Sequence, residues 1–77
     1  MPRIVALGNW VIYIYPDDHA PPHFHVRGAG LDAQIEIESL QVLRGCIPRN
    51  DLPGILAWAA ENKALLIEKW KAFNERG

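Results

Sequence analysis

The apolar residues of the chain follow two regimes that change at Pro48. Before it they form short runs rich in β-branched and aromatic types, punctuated by Gly, Pro, Asn and Asp, which is the pattern of strands and turns. Five runs are predicted as strands, at residues 3–7, 10–15, 23–28, 31–38 and 42–47, the last weakened by Gly45. Gly8–Asn9 reads as a two-residue hairpin turn between the first two, and Gly28-Ala29-Gly30 as a three-residue turn between the third and fourth. Residues 16–22, Pro-Asp-Asp-His-Ala-Pro-Pro, contain three prolines and are predicted as a stiff, ordered loop. Alternation in the second hairpin is clean. Phe24, Val26, Leu31, Ala33, Ile35 and Ile37 take one face, and His23, His25, Arg27, Asp32, Gln34, Glu36 and Glu38 take the other.

After Pro48 the spacing becomes helical: Leu52, Ile55, Leu56, Ala59, Leu66, Ile67, Trp70 and Phe73 recur at intervals that keep one stripe. Asn50 is the expected N-cap, Asp51 suits the positive end of the helix dipole, and Pro53 falls in the first turn, where its missing N–H costs little. Asn62 is a common helix-ending residue and Lys63 interrupts the stripe, so residues 51–74 read as one bent helix or two. The final Asn-Glu-Arg-Gly is expected to fray. The whole is predicted as an α+β domain: an antiparallel sheet of four to five strands followed by one bent or two C-terminal helices packed on one face. Trp58 and Leu65 lie off the stripe, which fits either a helical segment bent around the sheet, the more common case, or a partner that buries them.

Composition narrows this picture. Seventy-seven residues make a single domain, 1–77, because so short a chain cannot bury two cores. With 49% apolar and 22% charged residues it is a folding sequence and not a disordered tail. A net charge of −1 gives no global attraction to nucleic acid or acidic lipid. The lone Cys46 excludes an internal disulfide and a cysteine-based zinc cluster, suits a reducing compartment, and is expected as a small buried residue. The longest apolar run, residues 10–15, is too short to cross a membrane, and the start of the chain lacks a signal-peptide core, so a cytoplasmic location is expected.

Chemistry concentrates in one place. All three histidines, His19, His23 and His25, fall within seven residues, directly behind Asp17 and Asp18. In a strand, positions i and i+2 share a face, so His23 and His25 present neighbouring imidazoles, with Arg27, Gln34, Glu36 and one of Tyr13 or Tyr15 on the same side. A divalent transition metal would suit the His-x-His pair with Asp18, His19 or Glu36 as further ligands. A phosphodiester-cleaving site would use one histidine or Glu36 as base, the other histidine as acid, and Arg27 or Arg44 to hold the phosphate. A docking face without catalysis would use Tyr13, Tyr15, His19 and Arg49 as anchors. A purely structural reading stands beside these, in which the histidines bond loop carbonyls and the charged side chains form solvated cross-strand pairs. No resident cofactor is expected beyond that divalent metal. Trp10, Trp58 and Trp70 read as core.

The string Asp18-His19-Ala20-Pro21-Pro22-His23-Phe24-His25-Val26 resembles the signature of a family of small bacterial and archaeal proteins known as domain of unknown function four-one-six-zero. The resemblance extends over nearly the whole chain, through Ile35-Glu36-Ile37-Glu38, the Gly45–Arg49 segment with its Pro48-Arg49 step, and the Trp58-Ala59 and Trp70 positions. It implies no established activity. It does imply a partner, because members are often encoded beside another small protein in an arrangement that looks like a toxin and antitoxin pair. On that basis His23 and His25, supported by Asp18 and by Arg27 or Arg49, are the expected functional set, with a small protein encoded nearby as partner and RNA as a further target. Where such proteins often carry a charged or aromatic residue in the second hairpin and basic residues after Pro-Arg, this chain has Gly28-Ala29-Gly30 and Asn50-Asp51. Both departures remove surface that RNA would use.

Overall fold

The computed structural model describes residues 3–16 and 18–74. Asp17, in the proline loop, and Glu75, Arg76 and Gly77, expected to fray, lie outside the described residues. Five strands, β1 (Arg3–Leu7), β2 (Trp10–Tyr13), β3 (His23–Gly28), β4 (Leu31–Glu36) and β5 (Val42–Gly45), precede two helices, α1 (Leu52–Glu61) and α2 (Lys63–Asn74). The strands lie in chain order and every neighbouring pair is antiparallel. This is the expected α+β architecture.

The alternation of the strands decides where the core sits. Ile12 pairs with Val26, Val26 with Ala33, and Phe24 with Ile35, so these residues share one sheet face, and all are buried. Ile14 and Ile37 extend that layer, and Ile55, Ala59, Leu66 and Trp70 from the two helices join it in one continuous cluster. Full burial of each large aliphatic or aromatic side chain contributes about 1.5–3 kcal/mol, so this layer is the main source of stability. Trp58 is half-buried against the cluster, whereas Leu65 is exposed. No helix among the described residues is long and apolar enough to cross a membrane.

Several boundaries differ from the sequence pattern, each for a local reason. β2 stops at Tyr13 and not at residue 15: by register Tyr15 would face His23, but its carbonyl accepts from the Asn74 side chain at 3.2 Å. β4 ends at Glu36 and not at residue 38, since the Leu40 N–H turns back to the Glu36 carbonyl at 2.8 Å. β5 ends at Gly45 and not at residue 47, because Gly45 leaves the extended region with φ +74°. The turn of the second hairpin has two residues and not three: Gly28 pairs with Leu31, and both Ala29 (φ +50°) and Gly30 (φ +75°) are left-handed, as a type I′ turn requires. Cys46, expected inside, is exposed.

The helical segment resolves into two. Asp51, one residue beyond the expected Asn50, occupies the N-cap, because the Pro48 carbonyl accepts from the N–H groups of both Asp51 and Leu52 and sets the turn there. At the other end of α1, Asn62 leaves helical geometry (φ −116°, ψ 23°) and donates both its backbone N–H (3.0 Å) and its side-chain amide (2.8 Å) to the Trp58 carbonyl. Lys63, the charge within the apolar stripe, sends its Nζ to the Glu38 carbonyl at 2.8 Å. The break therefore ties the helix junction to the β4–β5 connection.

Gly30 and Gly45 share a left-handed φ but not their surroundings. A Cβ at Gly30 would meet open space, whereas one at Gly45 would collide with the Asp32 carbonyl oxygen and lie 2.9 Å from the Ala33 Cα. Gly30→Ala is expected to cost only the left-handed penalty, about 1–2 kcal/mol. Gly45→Ala must also displace β4 and is expected to lose roughly 1–3 kcal/mol more. Urea midpoints of the two variants check the difference, and equal midpoints would contradict it.

Candidate functional site

Strand register builds the floor of the site. Tyr13 pairs with His25, His25 with Gln34, and Gln34 with Arg44, so four side chains form a row across four strands on the face opposite the aliphatic core. His23 stands two residues along, opposite Glu36, and Arg27 two residues the other way, opposite Asp32. A bulge reshapes the far end. Gln34 pairs with Arg44 and Ile35 with Val42, which leaves Leu43 unpaired and lets both Leu43 and Arg44 line the same cleft.

The proline loop closes over this floor. Asp18 is half-buried, and its Oδ2 lies 3.0 Å from His23 Nε2 and 3.0 Å from His25 Nε2. Its Oδ1 accepts the His19 N–H at 3.0 Å. The loop is held from the helical layer: Asn74, the last residue of α2, accepts the Asp18 N–H at 2.6 Å and donates to the Tyr15 carbonyl at 3.2 Å. The Pro21 carbonyl, which follows a cis Ala20–Pro21 bond, receives a hydrogen bond from His23 Nδ1 at 2.7 Å. Aromatic packing completes the enclosure. The Tyr15 ring meets His25 edge-on at 4.6 Å, Tyr13 stacks on Tyr15 at 5.6 Å, and Trp70 of α2 lies 5.3 Å from His23. The polar face expected from alternation is thus covered at this point, with His23 and His25 only 5% and 9% exposed.

The hydrogen bonds constrain the protons. A carbonyl only accepts, so His23 Nδ1 must carry a hydrogen. If His23 is neutral, its Nε2 is then a lone pair 3.0 Å from a carboxylate oxygen, and the two would repel. The arrangement is satisfied by an imidazolium at His23 or by a cation held in common. Partial burial by itself would raise the Asp18 pKa; the hydrogen bond from His25, that from the His19 backbone and the charge of the two imidazoles outweigh it and hold the group below its ordinary value. Asp18 is therefore a carboxylate at neutral pH, as either arrangement needs.

Asp18, His23 and His25 offer three ligand atoms within 4.8 Å of one another. The other sequence candidates are distributed around them. Glu36 faces His23 in register, but its carboxylate accepts from Ser39 Oγ in the following turn. Arg27 is exposed, 3.7 Å from Asp32, and its pKa is raised further by hydrogen bonding to Tyr15 and by the charge of Asp32. His19 is exposed on the rim of the cleft. Arg49 is exposed in the connection to α1, apart from the cleft lining. Asn74 falls in the tail that sequence position predicts to fray, and no local signal marks it as the clasp of the loop. The cleft beside the trio measures about 410 Å³ and is lined by His19, Pro21, Gln34, Leu43 and Arg44 together with Asp18 and His23.

Fold and site together define a small α+β protein with a covered carboxylate and two histidines beside an open cleft. The sequence matches the family described as Domain of unknown function (DUF4160) over residues 9–71, and the chain belongs to that family. No curated protein and no solved structure matches it.

Asn74→Ala removes two hydrogen bonds that hold Tyr15 and Asp18 in place. It is expected to lower stability by about 1–3 kcal/mol in urea titration. The imidazole signals of His23 and His25 in NMR spectra should shift or broaden as Asp18 loosens, while the methyl signals of Phe24-facing Ile35 and Val26 stay in place. Unchanged imidazole signals would show that Asn74 does not position Asp18.

Proposed function

We propose that this protein binds one divalent transition metal ion through Asp18, His23 and His25, and that the ion serves as a Lewis acid at the floor of the adjoining cleft. The observation that carries the reading is the convergence of two imidazole Nε2 atoms on one carboxylate oxygen, each at 3.0 Å. Donor atoms about 2.0–2.2 Å from a common ion stand about 3.0–3.5 Å from one another, a spacing that each imidazole already keeps from Asp18, and closure of a trio that spans at most 4.8 Å would admit the ion. The His23 tautomer supports the same reading, since the Pro21 carbonyl fixes the hydrogen on Nδ1 and leaves Nε2 free to ligate. Three protein ligands leave coordination positions for water or substrate, the arrangement of a catalytic centre and not of a closed structural one. Two histidines with one carboxylate suit ferrous iron, zinc or manganese.

In the cell, we read the chain as one component of a two-gene, toxin-antitoxin-like module whose partner is a small protein encoded nearby. The support for this is the family resemblance alone. Action on long RNA is disfavoured by the net charge of −1 and by Asn50-Asp51, which stand directly after Pro48-Arg49 where basic residues would serve RNA.

Protein purified without a histidine tag and stripped with chelator is expected to take up one equivalent of zinc or cobalt in calorimetric titration. Asp18→Ala, His23→Ala and His25→Ala should each weaken uptake by about 100-fold or more, while Glu36→Gln leaves it unchanged. Saturation at about 100 times the dissociation constant should add about 2.7 kcal/mol to the unfolding free energy of the native chain. Stoichiometric uptake that survives His25→Ala, or no uptake by the native chain, would overturn the assignment in favour of a proton-linked structural cluster.

A further inference from the structure

The cleft beside the three ligands has a charge pattern that selects its occupant. Arg44 lines it and shares the row of His25 and Gln34, yet it makes no ion pair among the described residues. Among the described residues, the one carboxylate in the lining is Asp18, whose Oδ2 is directed at the two imidazoles and whose Oδ1 accepts the His19 N–H. Glu36, on the same face, is turned to Ser39 and lies outside the lining. A divalent ion at the trio would more than offset Asp18, and the Arg44 guanidinium adds a second positive centre to the same lining. Gln34, between them in register, supplies an amide that donates without adding charge. The larger cleft of the molecule, about 510 Å³ between the first hairpin turn and α1, has Asn9, Asn50 and Asp51 in its lining and no cationic side chain. Of these two clefts, the one at the histidines alone has a guanidinium among its described lining residues.

We infer that this cleft binds the phosphoryl group of a small phosphate ester, with one oxygen on the metal ion and others on Arg44 and Gln34. The inference rests on the proposed metal site and names its substrate class. A planar guanidinium with its donors in a fork matches two oxygens of a tetrahedral anion, and a metal ion polarises a third. The size of the cleft fits a ligand of nucleotide dimensions. The overall charge of −1 argues against a long polyanion, whose binding draws on many cationic contacts spread along a groove. Leu43, turned into the cleft by the bulge, offers an apolar contact for the organic part of the ester.

The test uses cobalt-loaded protein, whose visible spectrum reports both loading and coordination by an added ligand. Phenyl phosphate is the probe and acetate the control anion. Native protein is expected to change spectrum saturably with phenyl phosphate and not with acetate. Arg44→Ala should load cobalt with unchanged affinity but bind the probe about tenfold or more weakly, with partial recovery in Arg44→Lys. Arg44 is exposed on an edge strand, so its truncation leaves the core intact. Cobalt loading without a phosphate response, or an equal response in Arg44→Ala, would overturn the inference and leave the metal site standing. A spectrum that shows no cobalt loading would overturn both, and the spectrum itself separates the two failures. An RNA of about ten nucleotides that displaces the probe at far lower concentration would replace the small ester with an RNA strand as the ligand.

Discussion

The Asp18 carboxylate is the point at which three separate parts of the chain are made to meet. Its oxygens hold two imidazoles of β3 and a backbone N–H of its own loop, while its backbone N–H is held by the last residue of α2. Its two imidazole contacts join the Pro21–His23 and Pro22–Ile37 bonds in fastening the loop to the sheet. Asn74 adds the tie from the helical layer to Tyr15 and Asp18. One small acidic residue thus links sheet, loop and helix over a sequence separation of 56 residues. Its placement also explains why both histidines are buried although alternation puts them on the polar side of the sheet.

The Asp-His-Ala-Pro-Pro-His-Phe-His string can be read position by position against this geometry. Asp18 supplies the shared carboxylate, and His19 contributes chiefly its backbone N–H. The prolines make the loop stiff and turn the Pro21 carbonyl onto His23, and the Pro22 carbonyl accepts the Ile37 N–H at 3.0 Å, docking the loop on the end of β4. Phe24 alone of the group points into the aliphatic core, where it is fully buried. Four functions, namely core anchor, tautomer fixation, carboxylate support and imidazole presentation, are packed into eight residues because a strand alternates and a proline loop reverses.

What the sequence made legible follows from periodicity, and what it hid follows from contacts between distant residues. Alternation in residues 23–37 identified the core layer and the His23, His25 and Arg27 side without ambiguity, since a period of two leaves only one register in which Phe24, Val26, Ala33, Ile35 and Ile37 are all inside. The helix break near Asn62 was visible as a capping residue beside a misplaced charge, but its Glu38 partner was not. Nothing local announced the bulge at Leu43, because an unpaired residue in a ladder is defined by the opposite strand. Asn74 was illegible for the same reason. Its position near the chain end suggests fraying, and only the three-dimensional return of α2 to the loop gives it two partners. Cys46 was misjudged because an isolated cysteine is most often buried, while here it follows Gly45 at the exposed end of an edge strand.

The energetics of the trio bear on what it is for. Taking charges out of water costs several kcal/mol per ion even after relaxation, and an ion pair recovers this only with good geometry. Native domains as a class are held by only about 5–15 kcal/mol, and a chain of this length lies in the size range where the core is smallest. Apolar residues at positions 18, 23 and 25 would cover Tyr15 and Trp70 more cheaply and would need no clasp from Asn74. A bound divalent ion changes the sign of this balance, because the same three groups then contribute binding free energy to the folded state alone. The polar cluster is thus poorly suited to be merely a stabilising device in so small a core, and well suited to be a site whose occupant also completes the fold. With such an ion in place, the Arg44 guanidinium in the same cleft lining would extend that logic from the ion to its ligand, since charge left unneutralised at the floor of a cleft lowers the free energy of an anion that enters it.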